Sequence, residues 1–176
     1  MAYIKLCTFE EMSPAIQQKA RPILEKTGRL GEIFELLALD EDLYFATDEM
    51  VQRFLLKQTL LPYSIKERIA LLVSLENNCT MCVDVHKQIA KMLGMSEAQI
   101  EETLRGIDAI DTDEKEKTLL RLALKAAACD NYKTTQEDID AVKEAGWSEA
   151  EILEAVRVAA YFNYINTLSN VFGLGK

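Results

Sequence analysis

The chain has 176 residues, 49% of them hydrophobic, with 29 acidic against 20 basic side chains and a net charge of −9. That length supports one domain with a proper core. The negative charge argues against nucleic acid, whose phosphates demand a basic surface, and against anionic membranes. No apolar run reaches the roughly 18 residues that span a bilayer. Residues 1–10 are too short and too quickly acidic for a secretory signal. Four cysteines do not make a disulfide scaffold, and without a signal they point to a reducing cytosol. There a CxxC is more often catalytic or metal-binding than structural. The expected partners are small molecules, other proteins or copies of the chain itself.

The chain reads as helix nearly throughout, an all-α domain interrupted by three prolines and seven glycines. Residues 1–27 form an N-terminal helical segment containing Pro14 and Pro22, and Thr27 to Gly31 is a break. Ile33 to Leu39 is a short apolar segment, Asp48 to Leu60 a helix, and Leu61 to Tyr63 a second break. Ser64 and Glu67 have capping-box spacing and lead into Ile69, Leu71, Leu72, Val73 and Leu75. Asn77-Asn78 is the next break. A helix follows from Cys79 to Leu93, stopped by Gly94. Ser96 to Gln99 caps a short helix ending near Gly106, and a helix covers Glu114 to Ala128. Thr134-Thr135 opens another through Ala145, closed by Gly146. Ser148 to Glu151 caps the last, which runs to Val171. Leu93 to Ile100 echoes Ala145 to Ile152, so the chain is expected to hold two related helical units. The same displacement carries Cys82 to Thr134 and His86 to Asp138, so only the first unit keeps the thiols.

The chemistry concentrates between Cys79 and His86, where two thiols and the only histidine fall together. On a helix, Cys79 and Cys82 share a face with α-carbons about 5 Å apart, inside the roughly 4.4–6.8 Å that a disulfide requires. His86 lies one turn beyond Cys82. A straight helix would leave Glu67 about 18 Å from Cys79, but two antiparallel helices hinged at Asn77-Asn78 bring Glu67 and His86 to matching depths. That geometry suggests a relay in which Glu67 orients His86 and His86 takes the proton from Cys82. Cys79, near a helix N-terminus, has its thiolate stabilised by the unpaired amides there. Glu67 has a plainer reading too, as the capping-box residue that satisfies the Ser64 amide.

Glu67, twelve positions before Cys79, then Cys82 and His86, resembles the pattern of the AhpD-like alkylhydroperoxidases of the carboxymuconolactone decarboxylase superfamily. Gly28 to Phe34, Leu61 to Leu72, Gly94 to Ile100 and Tyr161 to Asn166 with Phe172-Gly173 fit as flanks, so the resemblance spans residues 28–173. It implies an AhpD-like helical domain over 28–176, assembled as a homo-oligomer, a trimer or hexamer. It implies a peroxidase in which Cys82 attacks the peroxide and becomes a sulfenic acid, and Cys79 resolves it to a disulfide. An external dithiol reductant protein then reopens that disulfide. Glu67 and His86 form the proton relay, and no bound cofactor is required. The founding alkylhydroperoxidase has histidine immediately before the second cysteine, where this chain has Met81.

Other classes compete. Cys79, Cys82 and His86, with Glu67 as fourth ligand, suit a structural zinc module, although such sites usually draw on two separated pairs. A lactone decarboxylase needs no CxxC. A redox sensor or disulfide-exchange protein would keep the disulfide without peroxide turnover. A c-type haem site needs histidine directly after the second cysteine, where Val83 stands, and a thioredoxin-like site needs βαβ units. Cys7 and Cys129 read as ordinary thiols. Tyr161, Phe162, Tyr164 and Ile165 read as packing or interface residues, and Asn163 and Asn166 as pocket-lining candidates.

Overall fold

In the computed structural model, which describes residues 2–176, Ser13 accepts from the Ile16 amide and Pro14 takes the first helical position of α1 (Pro14–Thr27). Gly28 ends α1 in the left-handed conformation. The chain continues through α2 (Glu32–Leu37), α3 (Glu41–Val51), α4 (Tyr63–Glu76), α5 (Thr80–Met92), α6 (Glu97–Leu104), α7 (Glu114–Ala127), α8 (Gln136–Glu144) and α9 (Glu149–Val171). Among the described residues there is no strand. None of the helices is long and apolar enough to cross a membrane. Ile16 and Ala20 of α1 pack with Leu30, Leu37 and Tyr44 in a small cluster that also touches Leu168.

Two expectations need correction. The third helix is not Asp48 to Leu60. It starts at Glu41, because the Asp40 carboxylate accepts from the Leu43 amide and Glu41 and Asp42 favour the positive helix start. It closes through a π-turn at Gln52–Leu56, where the Lys57 amide reaches the Gln52 carbonyl, and 57–60 leave the helix. The Ser64–Glu67 capping box does not form. The Pro62 carbonyl accepts from the Ile65 and Lys66 amides, so α4 starts at Tyr63. Ser64 is then already inside the helix, and Glu67 is free for another partner. The boxes at Ser96–Gln99 and Ser148–Glu151 do form, as does one at Thr135–Asp138.

α4 is the centre of the bundle, packed against α5, α6, α7 and α9. Every residue from Ile65 to Ser74 is buried. The stretch includes three consecutive charges, Lys66, Glu67 and Arg68, which point to three different neighbours. Lys66 Nζ lies 3.2 Å from Glu154 of α9 and 2.6 Å from the Thr59 hydroxyl. Glu67 meets His86 of α5, and Arg68 pairs with Glu116 of α7. Burial alone would push the Glu154 carboxyl up. The Thr59 hydroxyl, the Lys66 ammonium and the Leu60 amide outweigh it and hold that carboxyl below the usual carboxylate range.

A buried ion pair is costly to halve, because the surviving charge stays desolvated. Lys66→Ala is therefore expected to lower unfolding stability by about 3 kcal/mol in a urea titration near pH 7. Glu154 also sets an acid limit. Its folded carboxyl is depressed, so its stabilisation is complete above the unfolded value of about 4.3 and disappears as pH falls through the folded value. Glu154→Gln is expected to flatten that acid limb, and an unchanged limb would remove Glu154 as its source.

Candidate active site

The site is built at the α4–α5 corner. Asn77 and Asn78 end α4 in a Schellman turn: the Asn78 amide donates to the Leu75 carbonyl and the Cys79 amide to the Ser74 carbonyl, at 2.9 and 2.8 Å. Asn78 holds the left-handed conformation, φ 52°, that glycine fills in the corresponding turns at Gly94 and Gly146. Cys79, the last residue of that turn, is also the N-cap of α5. The expected hinge is thus present, and it places the first thiol at the helix start.

Side-chain amides from α9 clamp this corner. Asn77 Nδ2 donates to the Oδ1 atoms of Asn163 (2.7 Å) and Asn166 (3.0 Å), and Asn170 Nδ2 donates to the Asn77 carbonyl at 2.8 Å. Asn166 Nδ2 reaches the Ser74 hydroxyl and Asn163 Nδ2 the Ala127 carbonyl. Asn163 and Asn166 are therefore hinge clamps, not members of the cavity lining described below. Phe162 and Ile165 are buried in the core with Tyr161, whose phenol is pushed up by burial; Tyr164 is half-buried against them. Cys7 is buried and Cys129 exposed, and both are free.

The four sequence-selected residues form two pairs. The Cys79 and Cys82 sulfurs face each other in disulfide contact, with α-carbons 5.4 Å apart. His86 Nδ1 is 2.7 Å from Glu67 Oε2. A carboxylate oxygen only accepts, so Nδ1 carries the hydrogen and Nε2 keeps its lone pair. The Phe162 ring meets the imidazole edge-on at 4.7 Å. Cys79, Cys82, Glu67 and His86 are only 1%, 2%, 2% and 9% exposed, so the chemistry they support is shielded from bulk water.

One link of the expected relay differs. The hydrogen bond at the Cys82 sulfur runs to the Ser169 hydroxyl of α9, at 3.6 Å, and not to His86. A disulfide sulfur has no proton to share with an imidazole, whereas a serine O–H can donate to it. No spacing in the sequence links Ser169 to a cysteine 87 positions earlier; a polar residue in the apolar run of α9 was the one available signal. Outside, a cavity of 240 Å³ is lined by Ser74, Leu75, Asn78, Cys79, Thr80, Val83 and Asp84. It meets the pair at Cys79. Behind Cys82, the chain after α9 folds back so that a Cβ on Gly175, at φ +74°, would come within 2.8 Å of Met81 Cβ. Only glycine fits there. Among the described residues, no three His, Cys, Asp or Glu side chains converge as a metal cage.

The sequence pattern of the carboxymuconolactone decarboxylase family matches residues 42–125, a span containing Glu67, both paired cysteines and His86. Over that segment the chain is similar to the carboxymuconolactone decarboxylase family. The likeness in fold extends further. An uncharacterized peroxidase-related protein with an alkylhydroperoxidase AhpD core, from Ralstonia eutropha JMP134, superposes with a TM-score of 0.88 at 20% identity. The match covers 98% of this chain and 90% of that chain. A peroxidase-related protein from Silicibacter sp. TM1040 gives 0.84 at 19% identity, covering 93% and 85%. The debrominase Bmp8, in complex with 2,3,4-tribromopyrrole, gives 0.76 at 16% identity, covering 99% and 92%. No curated protein matches the chain.

The corner depends on the Asn77 amide. Asn77→Ala leaves the Asn163 and Asn166 oxygens without that donor and is expected to cost about 2 kcal/mol of stability. Chemical denaturation of the variant beside the parent checks this. A change within about 0.5 kcal/mol would mean the α9 amides do not secure the hinge.

Proposed function

We propose that the protein is a thiol-dependent hydroperoxide reductase. The observation that carries this reading is the Cys79–Cys82 pair in disulfide contact beside a buried Glu67–His86 pair. Cys82 as thiolate attacks the terminal oxygen of ROOH. The O–O bond breaks, Cys82 becomes a sulfenic acid, and RO⁻ takes a proton from protonated His86 to leave as an alcohol. The Cys79 thiol then attacks the Cys82 sulfur, expelling water and closing the disulfide. An external dithiol protein reopens it, giving two electrons and becoming a disulfide itself. Glu67 holds the imidazole tautomer and supports its positive charge. The setting is a reducing cytosol, which the cysteine usage favours, and the assembly a homo-oligomer, which the family resemblance implies.

The debrominase among the structural neighbours is reason to rest this reading on residues and not on fold. A structural zinc module fits poorly with sulfurs that face each other and an imidazole nitrogen engaged by Glu67. The cavity favours one variation: Cys79, at its wall and at the helix start, is the sulfur an incoming thiolate reaches first.

Stopped-flow mixing of the reduced protein with hydrogen peroxide and with an organic hydroperoxide tests the reading, with thiols at 79 and 82 counted by mass spectrometry. Rapid loss of both thiols with an intramolecular disulfide is expected. Cys82→Ser should abolish sulfenic acid and Cys79→Ser should trap it, and the opposite pattern exchanges the two roles. Glu67→Gln should slow the peroxide step by about 10²-fold, the scale of general acid–base assistance. Wild-type thiols that stay reduced for minutes would end the peroxidase reading in favour of a sensor or exchange protein.

A further inference from the structure

We infer that Ser169 is a further member of the site, the hydrogen-bond donor that stabilises the Cys82 thiolate. This rests on the reading of Cys79 and Cys82 as a working redox pair. It does not depend on which sulfur meets the peroxide.

Cys82 is in an awkward place to carry charge. It is 2% exposed, in the apolar cluster with Leu119, Ala159 and Phe162. Burial of that kind disfavours a thiolate. Yet each opening of the disulfide by a thiolate acting at Cys79 expels Cys82 as an anion: the S–S bond breaks, a new bond joins Cys79 to the incoming sulfur, and the electron pair stays on Cys82. Something near Cys82 must take up that charge.

Ionisable groups come from several elements. On α5 these are Cys79, spent in the mixed disulfide, and His86, whose Nδ1 is held by Glu67 of α4. α2 brings Glu32, engaged by the Gly175 amide, and Lys176 bonds the Tyr3 hydroxyl. α9 from Val158 to Val171 has no charged residue; its titratable groups are the phenols of Tyr161 and Tyr164, in the same cluster as Cys82. What α9 does bring is the Ser169 hydroxyl, 1% exposed and 3.6 Å from the Cys82 sulfur.

That hydroxyl is committed to the sulfur. Two positions earlier Thr167 bonds back to the carbonyl of Asn163 at 2.8 Å, the usual outlet for a hydroxyl inside a helix. Among the described residues Ser169 makes no such bond, and its hydroxyl has Cys82 alone as partner. Its own carbonyl accepts from the Leu174 amide, which ties the end of α9 and fixes the rotamer's backbone. A donor fixed before the charge appears needs no reorganisation when it does, which is the condition under which such a bond counts most.

Ser169→Ala tests this cleanly. Alanine is the smaller residue with higher helix propensity, and no bond other than that to sulfur is lost, so the variant should melt within a few degrees of the parent. In a Cys79→Ser background, the rate of iodoacetamide addition at Cys82 is followed against pH by mass spectrometry. Losing one donor to an anion is expected to raise the apparent pKa of Cys82 by about one unit, making alkylation about tenfold slower below both values and equal above them. With Cys79 intact, the Ser169→Ala disulfide should be about tenfold harder to reduce with dithiothreitol above the thiol pKa. Superimposable pH profiles and unchanged reduction would overturn the inference. A shifted profile in a protein whose wild type ignores peroxide would uphold it while ending the peroxidase reading, so the two failures are distinguishable.

Discussion

Three consecutive buried charges on α4 are the constraint on which the rest of this fold depends. A helix buried from Ile65 to Ser74 normally carries apolar residues on every face. This one carries Lys66, Glu67 and Arg68, about 100° apart around the axis. Each must find a partner or cost several kcal/mol. The partners are supplied by α9, α5 and α7 in turn, through Glu154, His86 and Glu116. Hydrophobic packing alone would tolerate rotation or sliding of these helices. Three directed ion pairs in different directions do not, so the site residue Glu67 inherits a fixed position from its neighbours on both sides.

The second organising feature is economy at the α4–α5 corner. Cys79 ends one helix and starts the next. The turn that reverses the chain is therefore the turn that sets a cysteine at the N-cap of α5. Cys82 follows within a single turn, at a Cα separation of 5.4 Å that lets the pair close without moving the backbone far. The cost is a left-handed Asn78, and the α9 amides around Asn77 hold the corner in that shape. A loose corner would let the sulfurs drift from bonding distance; a clamped one holds them within it.

Much of this was legible in the chain because it is local. Helix ends marked by Gly94, Gly146, Ser96 and Ser148 follow from side chains a few positions apart, and so does the disulfide spacing. The hinge could be read because two asparagines break an apolar pattern, and matching depths then joined Glu67 to His86. What was misread shows where local rules compete. Ser64 and Glu67 satisfy the capping-box spacing, but Pro62, two residues earlier, starts the helix first and leaves Glu67 to a tertiary partner. Asp40 was the true cap of α3, and the chosen start at Asp48 lies inside that helix. Ser169 and the Asn163–Asn166 clamp could not be found by spacing, since they act on residues 86 to 89 positions away. Polar side chains in an apolar helix were a hint that something faces them, without saying what.

Burial and access pull in opposite directions at this site. Shielding the pair strengthens every charge interaction around it, yet the proposed function needs a reductant and a peroxide to arrive. The geometry resolves this by asymmetry. Cys79 meets the 240 Å³ cavity, whereas Cys82 lies behind it, with Ser169 at its sulfur and Gly175 folded onto the adjacent Met81. In the proposed cycle an approaching thiolate therefore meets Cys79 first, and its attack there sends the leaving charge inward. Histidine in place of Met81 would put a polar ring beneath the Gly175 backbone, where this chain has an apolar contact. Met81 and a glycine 94 residues later that has no room for a side chain therefore form one stretch of the inner wall.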